Sequence, residues 1–86
     1  MGCTTLTIYV DQPRWPARGT RWAHLVCDGE LDELHAFAAQ VGIDRRAFHR
    51  DHYDIPLEWW QSVVDAGADV VMSREIVMVL KRNGLR

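Results

Sequence analysis

No apolar run in this chain approaches membrane-spanning length, and no signal peptide is read at its start. Charge of one sign is also lacking. The formal net charge is −2, so there is no global basic field to gather nucleic acid or anionic lipid. Nucleic acid is therefore a disfavoured partner, and no membrane partner is expected. Cysteine is scarce, with only Cys3 and Cys27. They lie far apart and outside any metal-ligand spacing, so free thiols in a reducing, cytoplasmic setting are expected. Linkers, repeats and low-complexity tracts are absent. Met1-Gly2-Cys3-Thr4-Thr5-Leu6 begins like a myristoylation signal but has Leu6 where Ser or Thr is required. The expectation is a single domain over residues 1–86 with a core near the lower limit for independent folding.

What the chain does have is an ordinary globular composition, 48% hydrophobic and 26% charged. Residues 5–10 alternate β-branched, apolar and aromatic side chains, which predicts a strand ending at Asp11. Residues 12–22 contain Pro13, Pro16 and Gly19 and read as a long loop. His24-Leu25-Val26-Cys27 reads as a short strand or an extended approach to a helix. Asp28 is placed to cap that helix, whose stripe is Leu31, Leu34, Phe37, Ala38 and Val41, with Gly42 as its stop. Arg46-Ala47-Phe48-His49 predicts a second strand. Asp54 or Ile55 then caps a helix entered through Pro56 and running to Ala66. Residues 68–72 predict a third strand, and Ser73 caps a last helix that Gly84 ends. Strands alternating with helices imply an α/β, three-layer domain: a short, mostly parallel sheet of about three strands, with about three helices.

In such sheets ligands bind beyond the carboxyl ends of the strands. Asp11, the run His49-Arg50-Asp51-His52-Tyr53-Asp54, and Ser73 with Glu75 all fall at that predicted edge. The run is the densest group of titratable side chains in the sequence, and such density is costly to bury for packing alone. In extended backbone His49 and Asp51 face one side, and His52 and Asp54 the other, unless the chain turns between them. Asp11, His49, His52 and Asp54 are the catalytic candidates, and Asp11, His49 and His52 the metal candidates. Zinc, manganese or magnesium is the expected cofactor if there is one. Each residue has a structural alternative: Asp11 as an Asx-turn, Asp54 as a helix cap, Asp51 as a partner of Arg46 or Arg50. His24, Asp28, His35 and Asp51 are further polar candidates. His35 sits beside the apolar stripe of its helix, where a half-buried core histidine is the plainer role.

Arg14, Arg18 and Arg21 alternate with Trp15 and Trp22. Guanidinium groups clamp phosphate or carboxylate, and indoles stack on rings, so this segment is the candidate anion site. The alternative folds both tryptophans back over a small core. Trp59 and Trp60 are adjacent on a helix and cannot share one face, so one is expected to be exposed, as at a dimer contact.

Several of these motifs occur together elsewhere. Ile8-Tyr9-Val10-Asp11, Trp15-Pro16, Trp22-x-His24-Leu25, Glu33-Leu34-His35-x-Phe37-Ala38 and Phe48-His49-x-Asp51-His52-Tyr53-Asp54 resemble the small actinobacterial and phage proteins of domain-of-unknown-function family 4031. The resemblance spans nearly the whole chain and implies a self-contained cytoplasmic domain, without an established activity to transfer. A looser likeness, to PIN-like nucleases, rests on the first strand ending in Asp11 and on Ala68-Asp69-Val70-Val71-Met72-Ser73-Arg74-Glu75. The function expected from the residues is a metal-dependent hydrolase or phosphodiesterase acting on a small phosphate-containing ligand. The alternatives are a non-catalytic module that binds a protein partner through its tryptophans, and a nucleotide- or anion-binding domain.

Overall fold

A computed structural model describes residues 7–85. Six strands form one sheet: β1 (Ile8–Val10), β2 (Trp15–Ala17), β3 (Thr20–Cys27), β4 (Phe48–His49), β5 (His52–Pro56) and β6 (Asp69–Val70). Three α-helices accompany them: α1 (Leu31–Val41), α2 (Leu57–Asp65) and α3 (Ser73–Arg82). A 3₁₀ turn at Arg45–Ala47 precedes β4. The sheet order is β4-β5-β3-β1-β6, with β2 also paired to β3.

Only β1 and β6 pair in parallel; the other four pairings are antiparallel. The expected mostly parallel, three-stranded sheet is therefore corrected to a mixed, mostly antiparallel one of six strands. The reason lies in two tight turns. Residues 12–22 are not a loop throughout, because Arg18 and Gly19 join β2 to β3 with φ of 51° and 78°. Positive φ at both central residues is what a two-residue hairpin with the natural twist requires. At Arg50, φ is 63°, and Asp51 N–H donates to the His49 carbonyl at 2.7 Å, which folds β5 back on β4. The crossover through α1 does keep β4 running in the same direction as β3. But β5 inserts between them, so each neighbour is antiparallel.

Side-chain alternation sorts the sheet into two faces. Ile8, Val10, Ala23, Leu25, Cys27, Tyr53 and Ile55 form a core with Leu34 and Ala38 of α1 and Val63 of α2. On the opposite face Val26 packs with Ile76, Val79 and Leu80 of α3, flanked by Tyr9. The domain is three-layered, and α3 covers only the β1/β3 part of its face. Gly42 stops α1 in the left-handed conformation, with φ 91°. The other expected caps are corrected. Glu30, Pro56 and Met72 hold the N-cap positions. Asp28 instead accepts from Arg82 and Asn83 at the end of α3, at 2.8 Å each. Those two bonds hold its carboxyl below the usual range. Cys27 is a free, buried thiol, and burial pushes its pKa up to about 11. Cys3 and the start of the first predicted strand lie outside the described residues. No described helix is long and apolar enough to cross a membrane.

Candidate functional site

The polar face of the sheet gathers its titratable residues from β1, β3, β4 and β5. Asp11 follows β1, with its N–H donating to the His24 carbonyl at 3.3 Å. His24 lies in β3 and Asp54 is its register partner in β5. His52 is two residues before Asp54 and therefore on the same face. It is paired in turn with His49 of β4. The hairpin turn thus overrides simple alternation between His49 and His52, and it swings Asp51 beside His52.

The hydrogen bonds have a repeated logic. Asp11, only 1% exposed, accepts from the His24 backbone N–H at 2.6 Å and meets His24 Nδ1 at 2.9 Å. Ser73 Oγ donates to it at 2.9 Å, and Trp60 Nε1 donates to its carbonyl at 2.9 Å. Burial pushes the Asp11 carboxyl up, but the bonds from His24 and Ser73 and the His24 charge outweigh it, leaving the pKa below its ordinary value. Asp51 meets Nδ1 of His52 at 2.8 Å, and both residues are buried. Each of these two imidazoles is thus held at Nδ1 by a buried carboxylate. Such a carboxylate fixes the tautomer and turns Nε2 to the site.

His52 Nε2 in turn lies 3.0 Å from Asp54 Oδ1. A neutral imidazole has one N–H and cannot donate to two carboxylates. Ligand atoms of His24, His52 and Asp54 all fall within 4.8 Å of one another, and this group can hold a metal ion. The rings of His24 and His52 meet edge to face at 5.0 Å. Trp15, 48% exposed, lies parallel to the His24 ring with centroids 5.8 Å apart. His49, exposed, places its ring 5.8 Å from that of His52.

Among the expected site residues, His52 and Asp54 belong to this group and His24 joins them. Asp11 and Asp51 stand behind the two imidazoles, and His49 stands beside them. Asp28 and His35 lie apart. His35 Nδ1 meets the buried Tyr53 hydroxyl at 2.7 Å on the α1 side of the sheet. The arginines divide. Arg14 borders a groove of about 540 Å³ with Gln12 and residues 70–75. Arg18 borders one of about 410 Å³ that reaches His49 and Asp54. Arg21 is exposed opposite Pro16 of β2. His24 stands among the further polar candidates of the sequence rather than in its metal set, because residues 12–22 read there as a loop. The signal was the alternation Trp22, His24, Val26 against Ala23, Leu25, Cys27, one continuous strand with a histidine on its polar face.

Fold and site together define a small mixed α/β domain carrying a histidine–aspartate cluster on one sheet face. The chain belongs to a family of proteins of unknown function, DUF4031, whose model matches residues 8–83. No curated protein and no solved structure matches it. The likeness to PIN-like nucleases finds no support among these matches.

Proposed function

We propose that this domain is a metal-dependent hydrolase of phosphate esters, with one dication held by His24, His52 and Asp54. The observation that carries the reading is the pair of imidazoles, each backed at Nδ1 by a buried carboxylate and converging on a third carboxylate. Three protein ligands leave a coordination position for water or substrate, the pattern of catalytic rather than structural zinc sites. Two imidazoles among the donors favour zinc or manganese over magnesium, which prefers oxygen alone.

A dication held there would supply an acidified water and a Lewis acid for the phosphoryl oxygen. The chain's own residues do the rest. Asp11 and Asp51 orient the ligands and set their tautomers. Trp15 covers the His24 ring and limits access of bulk water to it. His49, exposed beside His52, is the residue to which the reading gives proton transfer to the leaving oxygen.

Protein purified without a metal-affinity tag is expected to carry about one zinc or manganese per chain by elemental analysis. It is expected to hydrolyse bis(p-nitrophenyl) phosphate. His52→Ala and Asp54→Ala should lose the metal. Asp11→Asn should keep the fold and bind metal roughly 10–100-fold more weakly, because only the orienting charge is removed. Metal-free protein whose melting point does not move on adding zinc or manganese would sink the reading.

A further inference from the structure

Two arginines near the site are available to a ligand. Like the other described arginines except Arg82, which is paired with Asp28, Arg18 and Arg46 make no ion pair among the described residues. Arg46 bonds Asp44 only through its backbone N–H, and the Arg18 guanidinium lies 5.9 Å over the Trp22 ring. Both border the same groove of about 410 Å³, a volume within the range of small-ligand sites. Its walls include Trp22, Phe48 and Trp59, and it reaches His49 and Asp54. A second, smaller cavity of about 70 Å³ adjoins Arg18, Trp22 and Asp54 as well, together with Trp15. Asp54 therefore faces both the metal group and the groove.

The backbone adds a separate sign. Arg18 adopts a left-handed conformation that asparagine or glycine would take at lower cost. Keeping an arginine there places a guanidinium at the rim of the groove at the expense of the turn, the kind of local conflict that marks functional positions.

We propose that this groove binds a nucleoside monophosphate. Guanidinium groups of Arg18 and Arg46 hold the phosphate against Asp54 and the metal group, and the base lies on the exposed indole of Trp59. Trp59 is 45% exposed, an unusual state for a tryptophan on a helix with an apolar face. Asp44 also lines the groove, with its Oδ1 accepting from the Arg46 backbone N–H, and the two guanidinium groups are the donors that suit a dianionic phosphate. The groove volume and the overall negative charge suit a single nucleotide, since a polymer would need a longer basic track. The proposal rests on the hydrolase reading for its product but not for its binding step.

Binding is measured by tryptophan quenching and calorimetry with adenosine and guanosine monophosphates, on metal-loaded and metal-free protein. Saturable binding is expected. Arg46→Ala and Trp59→Ala should each weaken it about tenfold, the size of one charge-assisted bond or one stacked base. Metal content should be unchanged in both, and circular dichroism should show them folded. The free nucleosides and inorganic phosphate should each bind at least tenfold more weakly than the nucleotide, since each offers only half of the contacts. Equal binding of inorganic phosphate overturns the base contact. Tighter binding of a single-stranded oligonucleotide than of the monophosphate overturns the mononucleotide assignment. Metal loading without nucleotide binding overturns the groove and leaves the hydrolase reading standing. Nucleotide binding to a protein that takes up no metal does the reverse.

Discussion

At the scale of residues, two histidines do different work because of what they touch. His52 meets carboxylates on both ring nitrogens. His35 instead meets a neutral, buried hydroxyl and the edge of Phe48, at a centroid distance of 4.6 Å. Burial holds the His35 pKa below its ordinary 6.5, and the nearby Arg45 charge adds to this against a smaller opposing effect of Asp32. The folded chain therefore resists a proton that the unfolded chain accepts. Stability from this group is full above the unfolded pKa and is lost as pH falls through it toward the lower folded value. His35→Gln can keep a bond to Tyr53 without titrating. Its unfolding free energy, followed by urea melts from pH 7.5 to pH 5, should fall less steeply than that of the unaltered chain. Parallel slopes would show that His35 is not protonated on unfolding.

At the scale of elements, the two hairpin turns decide the site. Arg18-Gly19 sets the register of β2 on β3 and so brings Trp15 over His24. Arg50-Asp51 folds β5 onto β4 and so aligns His49 with His52. The alternation of strand residues is legible in the sequence but these turns are not, since neither has the asparagine–glycine pattern that announces a tight hairpin. Arginine in the left-handed region is an uncommon choice at both tips. Replacing it by the residue the turn prefers has a defined outcome. Arg18→Asn should stabilise the domain by roughly 1 kcal/mol, the conformational penalty removed. That corresponds to a rise in Tm of about 4–8 °C for a domain of this size. The same variant should bind nucleoside monophosphate about tenfold more weakly, through loss of one charge-assisted contact. A variant that is more stable with unchanged binding would remove Arg18 from the groove's chemistry.

At the scale of the whole molecule, the division of labour runs between the two faces of one sheet. The face toward α1 and α2 is mostly apolar, with the His35–Tyr53 pair as its polar contact, and carries most of the burial. The other face is shared between a small core under α3 and the histidine–aspartate cluster. Even so, no buried side-chain polar atom among the described residues lacks a partner. A domain of this length has a total stability of roughly 4–13 kcal/mol. Leu25, fully buried in β3, is part of the larger core. Leu25→Ala should cost about 2–5 kcal/mol, a large fraction of that total. The urea midpoint should fall accordingly, and metal uptake should be lost wherever the fold is lost. A change below about 1 kcal/mol would mean that the core can collapse around the gap.

The sequence by itself determined the α/β class, three amphipathic helices, the stop of α1 at Gly42, and the exposure of one of the paired tryptophans. Those follow from spacing and local propensity, which act over a few residues. It also put His52 and Asp54 on one side, because an i, i+2 pair in extended backbone shares a face whatever the strand pairs with. Only the tertiary structure decided the order and sense of the sheet. It also decided the recruitment of His24 as their partner, and the places of Asp11 and Asp51 behind the two rings. Those depend on which strands become neighbours. That is set by two atypical turns and by the burial of one sheet face, and neither is encoded in the spacing of any single segment.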